Sequence, residues 1–332
     1  MIDVGIPLRV LRRLRSGHAA AAPPAGGSRR RCKAYRLAGL GAAAALVAVL
    51  APAQPGLAIS DGNGLNITLG FDVCSLPSTT DMLYWWDYSP YYWYNVYIGG
   101  VEYGCSLAND THMSDWLDTV NSYGWNFEYT WVGPQAPQSC TVNSSVFSYV
   151  PSTAYSQGVA QENDAADQLE ADGVEAYGQE VPLIYDLEGY SPGSCDGYSF
   201  QSAVDAFIEG WDAEADTGSY HQLPGVYGSV CTSYLADLAG ISPVPYFIWG
   251  ADWDENYNTA VMDDQSCAPD NGVPNGDWIY NQRLKQYWGS VSGIEQTWGG
   301  YTMYVDEDCA NSLTTPSGTT SNTCADDQPP TG

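Results

Sequence analysis

Short apolar runs rich in β-branched and aromatic residues recur along the chain, each bounded by Gly, Pro, Asn, Asp or Ser. They predict eight strands: Ile67–Val73, Trp93–Ile98, Phe127–Val132, Pro182–Leu187, Gly225–Gly228, Tyr246–Gly250, Tyr280–Tyr287 and Tyr301–Val305. Helical patterns fall between several of them, at Ser114–Tyr123, Ala154–Asp172 and Phe200–Asp216. The clearest, Ala154–Asp172, is rich in Ala, Gln and Glu and is closed by Gly173, a usual C-terminal cap. Strands alternating with helices point to a parallel sheet, and eight of them at this length fit a single α/β domain of the (β/α)8 TIM-barrel type, with allowance for irregularity. A doubly wound open sheet is the alternative, but no Gly-x-Gly-x-x-Gly opens a helix after the first strand.

The first 58 residues read differently. Arg29-Arg30-Arg31 and Lys33 precede an apolar run from Leu37 to Leu50, then Pro52, Pro55 and Gly56-Leu57-Ala58. This is the pattern of a secretory signal peptide, and Ser28-Arg29-Arg30 resembles a twin-arginine start. The run is shorter than the roughly 20 residues a membrane anchor needs. The expectation is therefore a leader over 1–58, a barrel over 59–310 and a Ser/Thr/Pro-rich tail over 311–332, in a secreted or envelope-associated protein without a transmembrane anchor.

Setting the leader aside changes the charge. Of 332 residues, 274 remain, with 38 acids against two bases, Arg283 and Lys285, a net of −36. Phosphate binding comes from Lys and Arg, so a nucleic-acid partner is excluded, and an anionic membrane surface likewise. The two cations are expected to neutralise neighbouring acids. An even eight cysteines remain after Cys32: Cys74, Cys105, Cys140, Cys195, Cys231, Cys267, Cys309 and Cys324. Without any Cys-x-x-Cys pair, a disulfide framework is the better reading than zinc. Each of the first six lies in the stretch that follows a predicted strand. Neighbouring strand ends then predict Cys74–Cys105, Cys140–Cys195 and Cys231–Cys267, leaving Cys309 to hold the tail through Cys324.

In a barrel, catalytic groups sit at the C-terminal ends of strands. Asp72, Asp186, Glu188, Asp252 and Asp306 all stand there. With 38 acids a single match says little, but Asp186 and Glu188 are two residues apart on one strand and share a face. Carboxyls crowded in a poorly solvated place cannot both ionise, so one becomes a general acid at neutral pH. The 43 aromatics include Trp85, Trp86, Tyr91, Tyr92, Tyr190, Trp253, Tyr287 and Trp288 near strand ends, where rings stack on sugars or simply fill the core.

Other chemistries fit poorly. Gly189-Tyr190-Ser191-Pro192-Gly193 matches a nucleophile elbow, but Pro192 lacks the N–H an oxyanion hole needs. His112 and His221 are the only histidines past the leader. Asp252-Trp253-Asp254-Glu255-Asn256 with Asp263 echoes a calcium loop, yet Tyr257 stands where glycine is required. No metal or cofactor is expected.

These motifs together resemble a family. Gly70–Ser75 with Pro77-Ser78, Val96–Gly100, Trp131–Pro137, Ile184–Glu188, Gly225–Ser229, Gln282-Arg283 and Gln286-Tyr287 look like the secreted actinobacterial glycoside-hydrolase-like proteins. That family is similar, more distantly, to the family 25 lysozymes, β/α barrels that cleave peptidoglycan. The resemblance implies a catalytic group of Asp72, Asp186, Glu188 and Asp306, with Glu188 as general acid and Asp186 assisting. Tyr97, Tyr185, Trp249, Asp252, Gln286 and Tyr287, on or just past the same strands, are expected to bind substrate. The expected function is hydrolysis of a cell-wall or extracellular glycan by a monomer, peptidoglycan first. The alternative is a non-catalytic carbohydrate-binding protein with a cleft at the barrel mouth.

Overall fold

The computed structural model describes residues 69–105, 113–174, 181–217, 222–255, 259, 262, 272–274, 276–278 and 282–310. In chain order the elements are β1 (Leu69–Asp72), α1 (Thr79–Tyr88), β2 (Trp93–Gly99), α2 (Met113–Asn121), β3 (Asn126–Trp131), α3 (Pro151–Ala171) and β4 (Val181–Asp186). There follow β5 (Ser194–Cys195), β6 (Tyr198–Ser199), α4 (Phe200–Thr217), β7 (Gln222–Ser229), β8 (Phe247–Ala251), β9 (Arg283–Trp288), β10 (Ile294–Trp298) and β11 (Tyr301–Ala310). The expected leader, the tail, Cys267 and Cys324 lie outside the described residues.

Eight strands close a barrel in the order β1-β2-β3-β4-β7-β8-β9-β11, with β11 returning to β1. All eight predicted strands are in it. Six neighbouring pairs are parallel, whereas β11 runs antiparallel to both β9 and β1. The cause is the connection: a parallel return needs a long crossover, usually a helix, and the stretch between Trp288 and Tyr301 instead forms β10, a hairpin partner of β11. The barrel is thus mixed, with helices packed outside its first strands.

Alternation along each strand sorts the side chains. Trp93, Ile184, Leu223, Phe247, Trp249, Leu284 and Ala310 fill the interior as one buried cluster. Gly70 makes room for this, since a Cβ there would lie 2.1 Å from the Trp93 ring. Phe71, Tyr94, Val96, Tyr129, Leu183, Tyr185, Val226 and Ile248 face outward into the larger core shared with the helices. In that layer α3 and α4 touch backbone to backbone, where Gly158 lies under Phe207 and Gly210 under Tyr155.

Cys74 pairs with Cys105 and Cys140 with Cys195, joining the loops that follow neighbouring strands as expected. Cys231 and Cys309 are also disulfide-bonded. Among the described residues, no helix is long and apolar enough to cross a membrane.

Candidate active site

Inward parity at the C-terminal ends of the parallel strands brings one layer of polar side chains to the barrel mouth, and Asp306, expected at a strand end, joins it from the middle of the antiparallel β11. Asp72 comes from β1, Tyr97 from β2, Asp186 from β4, Tyr227 from β7, Gln286 from β9 and Asp306 from β11. Glu188 lies two residues past the end of β4, near enough for its charge to act on Asp186.

Asp72 is the hub of the hydrogen bonding. Its Oδ1 accepts from Tyr97 Oη at 2.9 Å and its Oδ2 from Gln286 Nε2 at 2.7 Å. The Gln286 amide is itself held, because its Oε1 accepts from Tyr227 Oη at 2.9 Å and from Trp253 Nε1 at 2.8 Å. Asp306 Oδ1 accepts from the Ser290 N–H at 3.0 Å. Beneath this layer, Trp249 Nε1 donates to Asp308 Oδ1 at 3.0 Å.

Asp186 and Glu188 are positioned through their backbone. Gln135, in the loop after β3, donates through Nε2 to the Asp186 carbonyl at 2.9 Å and accepts the Glu188 N–H at 2.8 Å. The β3–β4 ladder ends where Trp131 faces Tyr185, and the Gln135 amide prolongs it by one peptide-like pair. Asp186 is buried and its Oδ1 has no hydrogen-bond partner among the described residues, while Glu188 at the rim is exposed.

Burial without a nearby cation raises every carboxyl in the mouth. Asp72 is pushed up to about 6 by desolvation, against the lowering effect of its Gln286 and Tyr97 donors. Asp306 rises to about 7 by desolvation and repulsion from Asp72. Asp186 goes well above the usual carboxylate range, from desolvation first and then the Glu188 and Asp72 charges. Glu188 is raised by partial desolvation and eased by the Gly189 N–H; one side of it meets water, the other the crowded mouth wall. Tyr227 feels all four carboxylates together with its own burial and stays a neutral phenol and hydrogen-bond donor.

The structure therefore brings together Asp72, Asp186, Glu188, Asp306, Tyr97 and Gln286. It turns four of the expected substrate-binding residues away from open space. Tyr185 points outward and donates to the Pro134 carbonyl under α4, against Phe207 and Trp211. Tyr287, also outward, bonds Glu307. Trp249 faces inward but is fully buried below the mouth. Asp252, 1% exposed, is bound by Lys285 on the barrel's outer side. Of the aromatics near strand ends, Trp85, Tyr91, Tyr190 and Tyr287 are core. Trp253, 47% exposed and hydrogen-bonded to Gln286, is the open indole beside the mouth. Gln135, Tyr227 and Asp308 belong to the network without having been singled out for a role. Among the described residues, no group of three or more His, Cys, Asp or Glu side chains could hold a metal ion.

No curated protein matches the chain by sequence. The crystal structure of the spore cortex lytic enzyme SleM of Clostridium perfringens is similar to it at 11% identity and a TM-score of 0.42, over 73% of this chain and 67% of that one. A family model, the Rv2525c-like, glycoside hydrolase-like domain, matches residues 84–310. That span holds Asp186, Glu188, Tyr227, Gln286 and Asp306, with Asp72 just ahead of it. With about two thirds of its length matched, the chain belongs to the family of Rv2525c-like glycoside hydrolase-like domains.

Proposed function

We propose that the chain is a secreted glycoside hydrolase that cleaves a cell-wall or extracellular glycan at the barrel mouth, with peptidoglycan as the first substrate to test. The observation that supports this most is the convergence of Asp72, Asp186, Glu188 and Asp306 around Tyr227, all with raised carboxyls. Glycoside hydrolysis needs a carboxylic acid that still holds its proton near neutral pH, and a second carboxyl beside it. Glu188, at the open rim, delivers its proton to the glycosidic oxygen as the C–O bond to the anomeric carbon breaks. Water then adds to that carbon and returns a proton to the carboxylate. Asp186, whose buried Oδ1 has no hydrogen-bond partner among the described residues, accepts from a substrate N–H such as that of an acetamido group. Trp253 offers a ring face for sugar stacking. Disulfides form and persist in oxidising compartments, which supports export by the leader pattern.

The test is release of reducing ends from a panel of wall and extracellular glycans. Glu188→Gln is expected to cut the rate by about 10²–10⁴-fold with glycan binding retained, the usual range for loss of an acid–base group. Equal rates for the two proteins would sink the hydrolase reading, and binding by both would leave a carbohydrate-binding protein in its place.

A further inference from the structure

We propose that Asp308 is a positioning residue that keeps a carboxylic-acid proton and donates it to Asp72, holding Asp72 as the anion at the centre of the mouth. This rests on the reading of the mouth as the active site. Asp308 lies opposite Gly70 in the β1–β11 ladder, and Asp306 opposite Asp72, so Asp308 and Asp72 are diagonal neighbours on the inner face. The Asp308 side chain is fully buried, with Oδ1 taken by Trp249 Nε1 at 3.0 Å. No conventional donor among the described residues reaches its Oδ2. The group placed to meet it is the Asp72 carboxyl, its diagonal neighbour across the β1–β11 ladder, with which it interacts electrostatically.

Two carboxylates have no proton to share and repel, whereas a carboxylic acid and a carboxylate form a short, charge-assisted hydrogen bond. The donors decide which partner keeps the proton. Asp72 already accepts from Tyr97 and Gln286, and Asp308 from Trp249 alone. The better-solvated group is the anion, and burial drives Asp308 well above the carboxylate range while Asp72 reaches about 6. Among the described residues, no cation competes for the role. The pair is faced by Tyr97 from β2, Asp186 from β4, Tyr227 from β7, Gln286 from β9 and Asp306 from β11. Glu307, Tyr91 and Tyr287 stand on the outer side of β11, and Lys285 points outward to Asp252 and Asp254.

The experiment compares wild type with Asp308→Asn, which keeps shape and an N–H donor, and Asp308→Leu, which keeps volume alone. A difference infrared spectrum of wild type against Asp308→Asn at neutral pH is expected to lose a buried carboxylic-acid C=O band and no carboxylate band. Loss of carboxylate bands instead overturns the proposal. The titration midpoint of Asp72, followed by NMR on isotope-labelled aspartate, is expected to rise by about one pH unit or more in Asp308→Leu and to stay in place in Asp308→Asn. A midpoint that falls in Asp308→Asn means that a negative charge has been removed, and it also overturns the proposal. Should Asp308→Leu not fold, the Asn comparison decides alone. These readouts use no substrate, so failure to hydrolyse any glycan counts against the proposed function and leaves the proton on Asp308 to be judged by the spectra.

Discussion

Lys285 is fully buried, yet it carries one of the two positive charges found after residue 58. Its Nζ lies 3.0 Å from Asp252 and 2.8 Å from Asp254, on the outward face of β9. The acids that look like a calcium loop in sequence are thus held by an ammonium group. Arg283, two residues earlier and on the same face, donates to the carbonyls of Asp277, Thr259 and Pro274 and so ties the β8–β9 connection to the barrel. Removing one partner of a buried ion pair leaves a charge without compensation, so Lys285→Met is expected to destabilise the fold by about 3–5 kcal/mol. Adding Asp252→Leu should recover most of that loss. Urea unfolding of the single and double variants checks this, and a single-variant cost under about 1 kcal/mol would show that the pair is not held in a dry site.

Among the elements, the packing of α3 on α4 depends on two glycines. A Cβ at Gly158 would fall 1.9 Å from the Phe207 carbonyl oxygen, with backbone rather than a movable side chain in the way. Gly158→Ala is therefore expected to cost about 3 kcal/mol or more, despite alanine's better helix propensity, because the helices must separate. A thermal melt in which Gly158→Ala equals or exceeds wild type would contradict this close approach. The eight barrel strands were legible because buried parallel strands write themselves as apolar runs. The direction of β11 is not written in such a run; the short Trp288–Tyr301 connection was the available signal. Helix α1 was hidden by its Tyr and Trp residues, which favour strands, although Ser78 and Asp81 form a capping box readable in the sequence. Site residues followed the same logic. Asp186 and Glu188 were found by i, i+2 spacing, and that rule excludes Tyr185 and Tyr287, which alternate with inward Asp186 and Gln286. The rule would also have linked Asp306 to Asp308, had the predicted strand not stopped at Val305.

The whole molecule carries its acids with almost no counter-charge, and several are buried away from the mouth as well as in it. Glu162 on α3 is pushed up to about 8 by burial and by the Glu214 and Asp167 charges. Asp212 on α4 is driven well above its usual range by burial and Glu209, and neither of its oxygens finds a hydrogen bond among the described residues. With Asp72 at about 6 and Asp306 at about 7, the folded chain binds more protons than the unfolded chain throughout the range between ordinary carboxyl values and about 8. Stability then falls as pH rises through that window, by about 1.4 kcal/mol per pH unit for each proton retained by the fold. The loss is complete once the folded groups have also ionised, and it is absent below the unfolded values, where both states are protonated. Self-repulsion of the growing negative charge acts in the same direction. The melting temperature is accordingly expected to climb as pH is lowered from about 8 toward about 5. Glu162→Gln should raise it in the alkaline part of that range and change it little in the acid part, since glutamine mimics the protonated group that the fold prefers. A melting temperature that is flat or rises toward pH 8 would mean that these carboxyls are solvated or paired in solution. The mouth, where the same burial raises Asp186 and Glu188, would then lose its general acid at neutral pH.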